Sequence, residues 1–170
     1  MAATVQIDET NGAGPTGSET TNITNSNMGN TDAANLVAAT YPVTPGDRTY
    51  TKYQRMHVTN MGGSSSIQNL KVWRTGALGG SATHVTNAGE STVYTHLTYA
   101  TPVKTTVTDV DNTMPITTAP TTANLGIGGS LTGAITTAGY SDYLVHQIVT
   151  NAGDTGGSTS TMNYQYDEVA

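Results

Sequence analysis

The chain has 170 residues, among them 34 Thr, 19 Gly, 13 Asn and 11 Ser, with no Cys, no Phe and a net charge of -6. The absence of Cys excludes disulfide scaffolds and zinc fingers, and no apolar run approaches the ~20 residues of a membrane helix or the length of a signal-peptide core. Twelve acidic residues against six basic ones argue against a protein held on nucleic-acid phosphates.

The remaining composition favours strands. Thr, Val and Ile give 54 β-branched positions and Tyr and Trp add ten aromatics, whereas Leu (7), Glu (4) and Lys (3) are scarce. Val, Ile and Leu make up only 16% of the chain, so the core is thin and oligomerisation is expected to add burial.

Residues 1–34 read as a flexible, extended N-terminal arm. They carry almost no apolar side chains, four acids (Asp8, Glu9, Glu19, Asp32) and no base, too little to offset the entropy of ordering unless a partner helps. Deleting them is expected to leave the domain over 35–170 folded. A short apolar patch at Leu36–Tyr41 ends at Pro42 and a Thr44-Pro-Gly-Asp47 turn.

Alternation begins at Thr49. Tyr50, Met56 and Val58 share one face and Tyr53, Arg55 and His57 the other; a Gly-Gly-Ser-Ser-Ser turn then leads into Ile67–Arg74, so the two runs predict a β-hairpin. Short strands are predicted at Thr83–Asn87, Ser91–Thr101 and Val103–Val110. Residues 113–139 lose the pattern and read as a long Thr/Gly/Ala-rich loop, with one short strand near Leu131–Ile135. Tyr140–Asn151 has apolar residues on both faces, the mark of a strand covered on two sides. Ser158–Asp167 alternates cleanly. Short strands between Gly/Asn/Ser turns predict an all-β, two-sheet antiparallel β-sandwich of jelly-roll or immunoglobulin-like type.

The sequence assigns no catalytic, cofactor-binding or metal-binding set. Asp154-Thr-Gly-Gly157 has the Asp-Thr-Gly of aspartic proteases in a single copy and reads as a turn. Asp109-Val-Asp111-Asn112 lacks the Gly and Glu of a calcium loop. His57, His84, His96 and His146 show no metal-ligand spacing and read as residues of polar strand faces. His57-Val-Thr-Asn60 is echoed at His84-Val-Thr-Asn87 and, more loosely, at Val149-Thr-Asn151; the repeat reads as turn punctuation, with Asn tolerating positive φ. Five of the six basic residues (Arg48, Lys52, Arg55, Lys71, Arg74) fall within 27 positions on the predicted hairpin. They form the one candidate partner-binding patch, for an acidic surface or the acidic arm of a neighbouring copy.

Tyr53-Gln-Arg-Met-His-Val-Thr-Asn60 with Ile67-Gln-Asn-Leu-Lys-Val-Trp73, and Tyr143-Leu-Val-His-Gln-Ile-Val149 with Asn163-Tyr-Gln-Tyr-Asp-Glu168, resemble in style the hairpins and closing strand pairs of tailed-phage virion proteins, especially capsid decoration or cement proteins. The resemblance covers about residues 49–74 and 140–168 and carries no catalytic residue. It implies a non-enzymatic β-sandwich on the capsid exterior, made in the host cytoplasm. It further implies a homotrimer or other homo-oligomer that contacts the major capsid protein or other virion proteins, partly through an extended arm, with no nucleic-acid or membrane partner. The alternative is a carbohydrate- or receptor-binding module of a tail fibre or adhesin, with Trp73, Tyr94 and Tyr99 as sugar platforms.

Overall fold

In this computed structural model, which describes residues 1–170, every regular element is a strand. They are β1 (Thr4–Asn11), β2 (Ser18–Thr20), β3 (Lys52–Asn60), β4 (Ser66–Thr75), β5 (Thr83–Thr86), β6 (Asn112–Thr113), β7 (Ala134–Ile135), β8 (Gly139–Tyr140), β9 (Leu144–Val149) and β10 (Thr161–Val169). A seven-stranded antiparallel sheet runs β2-β1-β3-β9-β5-β6, with β8 also paired to β3, and a three-stranded one runs β10-β4-β7. The two pack face to face as the predicted sandwich.

The core follows from alternation. Met56 and Val58 of β3 and Leu144 of β9 meet Ile67, Leu70 and Val72 of β4 between the sheets. β4 keeps Ile67 and Leu70 both inward although they are three residues apart. Asn69 takes a positive φ of 54°, and the register with β10 slips beside it, which restores the phase as a bulge does. The outer face of the large sheet is covered as well: Tyr53 and Val145 pack under Tyr99 and Val110. This second layer is why β9 reads as apolar on both faces.

Three expectations are corrected. The arm is the first. Residues 4–11 form β1, paired along β3 from Thr4↔Asn60 to Thr10↔Tyr53, and all four acids of the segment are engaged within the chain. Asp8 accepts from Asn22 N (2.8 Å) and pairs with His57; Glu9 pairs with Lys52, Glu19 with Arg55, and Asp32 accepts from Asn11 Nδ2 and Gly12 N (both 2.8 Å). Charge complementarity with β3 supplies what apolar burial could not, so residues 4–11 are an internal strand.

The hairpin is the second. β3 and β4 lie in different sheets, because both edges of β3 are occupied, one by β1 and the other by β8 and β9. For the same reason β9 and β10 are not a closing pair; β10 joins β4. Third, Ser91–Thr101 and Val103–Val110 form no strands. Ser91 and Thr92 take φ of 49° and 72°, and the segment crosses over the large sheet, touching it through Thr51 N–H to Val103 O (3.0 Å). Residues 113–139 are irregular apart from their ends and the short strand β7, which falls within the stretch read as one short strand near Leu131–Ile135, and they are tied along β4. Arg74 N–H donates to Pro115 O (2.8 Å), and Leu125 N–H to Leu70 O (3.2 Å). Between them the Asn124 side chain accepts from Val72 N–H (2.8 Å) and donates to Val72 O (2.9 Å), standing in for a strand residue.

Removing residues 1–11 uncovers one edge of β3 and strips the counter-ion from a buried lysine. The shortened chain is expected to lose its cooperative thermal transition by circular dichroism; an unchanged Tm would show β1 to be dispensable.

Candidate functional site: a buried polar chain at an inter-sheet cavity

Alternation also aims polar residues inward. Lys52 and Gln54 share the face of Met56 and Val58, and the β1 register sets Glu9 opposite Gln54 and Ile7 opposite Met56. On β9, His146 lies opposite Lys52, and on β5, Thr86 lies opposite His146 with His84 two residues before it. Six polar side chains therefore occupy the inner face of the large sheet. Glu9 is fully buried, Lys52 and His146 are 1% exposed and His84 4%. Charges buried to this degree persist only when paired and hydrogen-bonded.

They are so arranged. Lys52 Nζ donates to Glu9 Oε1 (2.6 Å) and to Ala33 O (2.6 Å), and Gln54 Nε2 donates to Glu9 Oε2 (2.7 Å). Gln54 Oε1 lies 3.1 Å from His146 Nε2 and accepts from Tyr164 Oη (3.0 Å) of β10. His146 Nδ1 is 2.8 Å from His84 Nε2. A carboxylate can only accept, so the Gln54 amide nitrogen faces Glu9 and its oxygen faces His146. His146 must then carry its proton on Nε2, which leaves Nδ1 as an acceptor for His84 Nε2–H. One ionised group at the sheet centre thus fixes both imidazole tautomers. The chain ends at His84 Nδ1, a lone pair with no protein partner.

Burial disfavours charge on both rings. His84 is pushed down to about 3, first by burial and then by the nearby Arg74 charge. His146 is held well below the ordinary histidine range by burial, by His84 and by Lys52. The Tyr164 hydroxyl is pushed up by burial and by the Glu9 charge. At neutral pH the chain is a fixed set of dipoles ending in a neutral acceptor.

His84 and His146 line a cavity of about 860 Å³ that opens between the sheets, with Ile148 beside them and Met162 and Tyr164 across from them. Segments 23–28 and 155–161 complete its wall. Asp154 stands at its margin as a turn-former, accepting from Ser81 N–H (2.6 Å) and Asn151 N–H (2.7 Å), and these bonds depress its pKa. No group of three or more His, Asp or Glu side chains is placed to hold a metal ion.

The predicted basic patch is dispersed. Lys52 is inside the large sheet and Arg74, 7% exposed, is inside the small one. Arg48 donates to Gln147 Oε1 (3.0 Å) and Lys71 to Thr121 O (3.2 Å). Arg55, on the outer face of the large sheet, pairs with Glu19 and lies 3.6 Å over the Tyr140 ring, which also stacks on His57 at 4.0 Å. The acidic surface that these cations were expected to find on a partner is, for Lys52 and Arg55, supplied by their own N-terminal segment. Of the aromatic platforms, Tyr99 is buried edge-on against Tyr53 (5.0 Å) and Tyr94 is half-buried with its hydroxyl on Asp142 (2.8 Å). Trp73 is half-buried.

Sequence reasoning missed the His84–His146–Gln54–Glu9 chain, although part of the signal was present. Lys52 and Gln54 keep the parity of Met56 and Val58, and His146 and Gln147 sit within a run read as buried on both sides.

Glu9→Gln keeps the shape but leaves the Lys52 cation without a counter-ion, at an expected cost of roughly 3–5 kcal/mol by urea unfolding. The exposed Lys104–Asp47 pair (3.4 Å) serves as the control, since its loss is expected to cost under about 1 kcal/mol. A Glu9→Gln loss below about 1 kcal/mol would show that the buried pair does not hold β1. Acid tests the histidines. The unfolded chain protonates both rings near pH 6.5 while the folded one resists down to about 3 at His84, so stability is complete above that range and falls on acidification through it. By pH 4 the loss from His84 is on the order of 3 kcal/mol, and His84→Gln is expected to flatten that part of the urea-midpoint profile.

No protein-family model matches the chain, and neither a curated protein nor a solved structure matches it.

Proposed function

We propose that this protein is a non-enzymatic virion subunit that decorates or cements a phage capsid through strand-edge contacts, with the major capsid protein or with its own copies. The observation that carries this reading is the free edge of β10. The other terminal strands are two or three residues long: β2, β6 and β7. β10 is nine residues long, pairs only with β4, and bears no charge until Asp167. A long edge whose first six residues carry no charge is what soluble proteins normally blunt, because it is a template for another chain's strand. Its retention fits a subunit meant to assemble. The thin core and the resemblance to decoration proteins support the same reading, and the edge takes over the docking role first given to the arm and to Arg48, Lys52, Arg55, Lys71 and Arg74.

A second reading, a carbohydrate- or receptor-binding module, is favoured by the inter-sheet cavity rather than by exposed aromatics.

Light scattering is expected to show a trimer or other homo-oligomer that co-sediments with empty shells. Thr161→Lys with Gln165→Lys charges the β10 edge at two exposed positions and is expected to abolish both properties. Stability should change by only about 0.5 kcal/mol. A monomeric parent protein that ignores shells would overturn the proposal.

A further inference from the structure

The long edge of β10 has a sequence that fits its own copy. Outside the ladder with β4, the backbone of this strand is touched only by Ser65, through its N–H and hydroxyl on Val169 O, and by the Asn163 side chain on Thr161 O. Its inward row is Met162, Tyr164 and Tyr166, packed against the core but only partly buried. Alternation makes Thr161, Asn163, Gln165, Asp167 and Val169 the outward row. Val169 is 39% exposed, an apolar side chain left in solvent at the end of the edge. The other terminal strands, β2, β6 and β7, are two or three residues long. Among the edges of this chain, only a second β10 therefore offers nine residues to pair with nine.

Charge sets the direction of that pairing. Asp167 and Glu168 both lie at the C-terminal end of the strand. A parallel, in-register copy would set Asp167 beside Asp167 and Glu168 beside Glu168, and like charges on neighbouring strands repel. An antiparallel copy related by a two-fold axis through Gln165 sends the acids to opposite ends. Thr161 then opposes Val169 of the second copy, Met162 opposes Glu168, Asn163 opposes Asp167, Tyr164 opposes Tyr166, and Gln165 opposes itself. Every acid faces an uncharged residue, and the two Asp167 side chains stand four positions apart, about 13 Å at the strand rise and beyond the ~8 Å Debye length. Glu168 needs nothing from Met162, because it already accepts from Ser64 Oγ (2.7 Å) and Ala3 N–H (3.2 Å). The Tyr164–Tyr166 pairs are aromatic cross-strand contacts of the kind that stabilise sheets. This register pairs all nine residues and keeps the inward rows of both copies on one face; a one-residue slip would set inward side chains against outward ones.

We propose that two copies of this chain pair antiparallel along β10, about a two-fold axis at Gln165, and so form one continuous six-stranded sheet, β7-β4-β10-β10-β4-β7. The contact uses the same surface on both copies and closes at two. It rests on the edge-docking reading above and names which of the two partners takes the edge; shells are then met by the dimer.

The full chain has no Cys, so one introduced thiol reports the geometry. Opposed residues of antiparallel strands lie ~4.5–5.5 Å apart at Cα, within the ~4.4–6.8 Å that a disulfide spans. Gln165→Cys, at an exposed position, is expected to give a covalent dimer on mild oxidation, seen by non-reducing electrophoresis. Asn163→Cys and Asp167→Cys are each expected to stay uncrosslinked alone and to cross-link when mixed, since they oppose each other rather than themselves. Light scattering is expected to show the parent at twice the chain mass. Gln165→Lys sets two cations face to face and is expected to weaken the dimer Kd about tenfold. A parent that stays monomeric at about 1 mM, or Asn163→Cys cross-linking alone as fast as Gln165→Cys, overturns the pairing; the parent measurement decides this even if a variant fails to fold. The two readings fail separately. A monomer whose binding to empty shells is abolished by Gln165→Lys overturns self-pairing and leaves the edge to the capsid protein. A cross-linking dimer that ignores shells upholds the pairing and overturns the virion reading.

Discussion

The buried pair between Glu9 and Lys52 is the constraint around which the rest of this structure is arranged. Two opposite charges inside a sandwich are tolerated only as a unit, since either one alone would be an uncompensated charge in a low-dielectric interior. The pair joins a residue of the N-terminal segment to the central strand of the large sheet. It is therefore an electrostatic bolt: β1 cannot leave without exposing the cost of burying Lys52. The surrounding acids add contacts to half-buried residues of the same strand, Glu19 as an ion pair with Arg55 and Asp8 as a hydrogen bond with His57 Nδ1. A segment poor in apolar residues is thereby fixed to the sheet by charge and by backbone pairing.

The same pair organises what lies beyond it. Because Glu9 can only accept, Gln54 has one orientation, His146 one tautomer and His84 one free lone pair. Hydrogen bonds in a buried chain polarise one another, and a fully satisfied chain rigidifies the core around it. Here the chain is satisfied at every joint except its last, which stands at a cavity. The ion pair that holds the fold thus also sets the tautomers of the two histidines on the cavity wall.

Two features point outward from this interior, the cavity between the sheets and the bare edge of β10. The large sheet is covered on both faces and its terminal strands are short. The small sheet leaves nine residues of β10 with one free edge. The long unpaired edge therefore belongs to the small sheet, while the large one is committed to internal packing.

The sequence by itself determined the class of structure and most strand positions. β-Branched residues at alternate positions and Gly/Asn punctuation yield strands at 52–60, 66–75, 83–86, 144–149 and 161–169, because strand period and turn chemistry are local properties. Tertiary structure alone decided the pairing. Whether residues 52–60 join 66–75 depends on which strands already hold their edges, and the claimants are residues 4–11 and 139–149, far away in the chain. Likewise, Glu9 in an acidic, apolar-poor segment looks solvated until Lys52 is placed opposite it, and His84 and His146 look like surface polar residues until β5 and β9 set them 2.8 Å apart. Burial of a charge is a property of the pair, and pairs are made by topology.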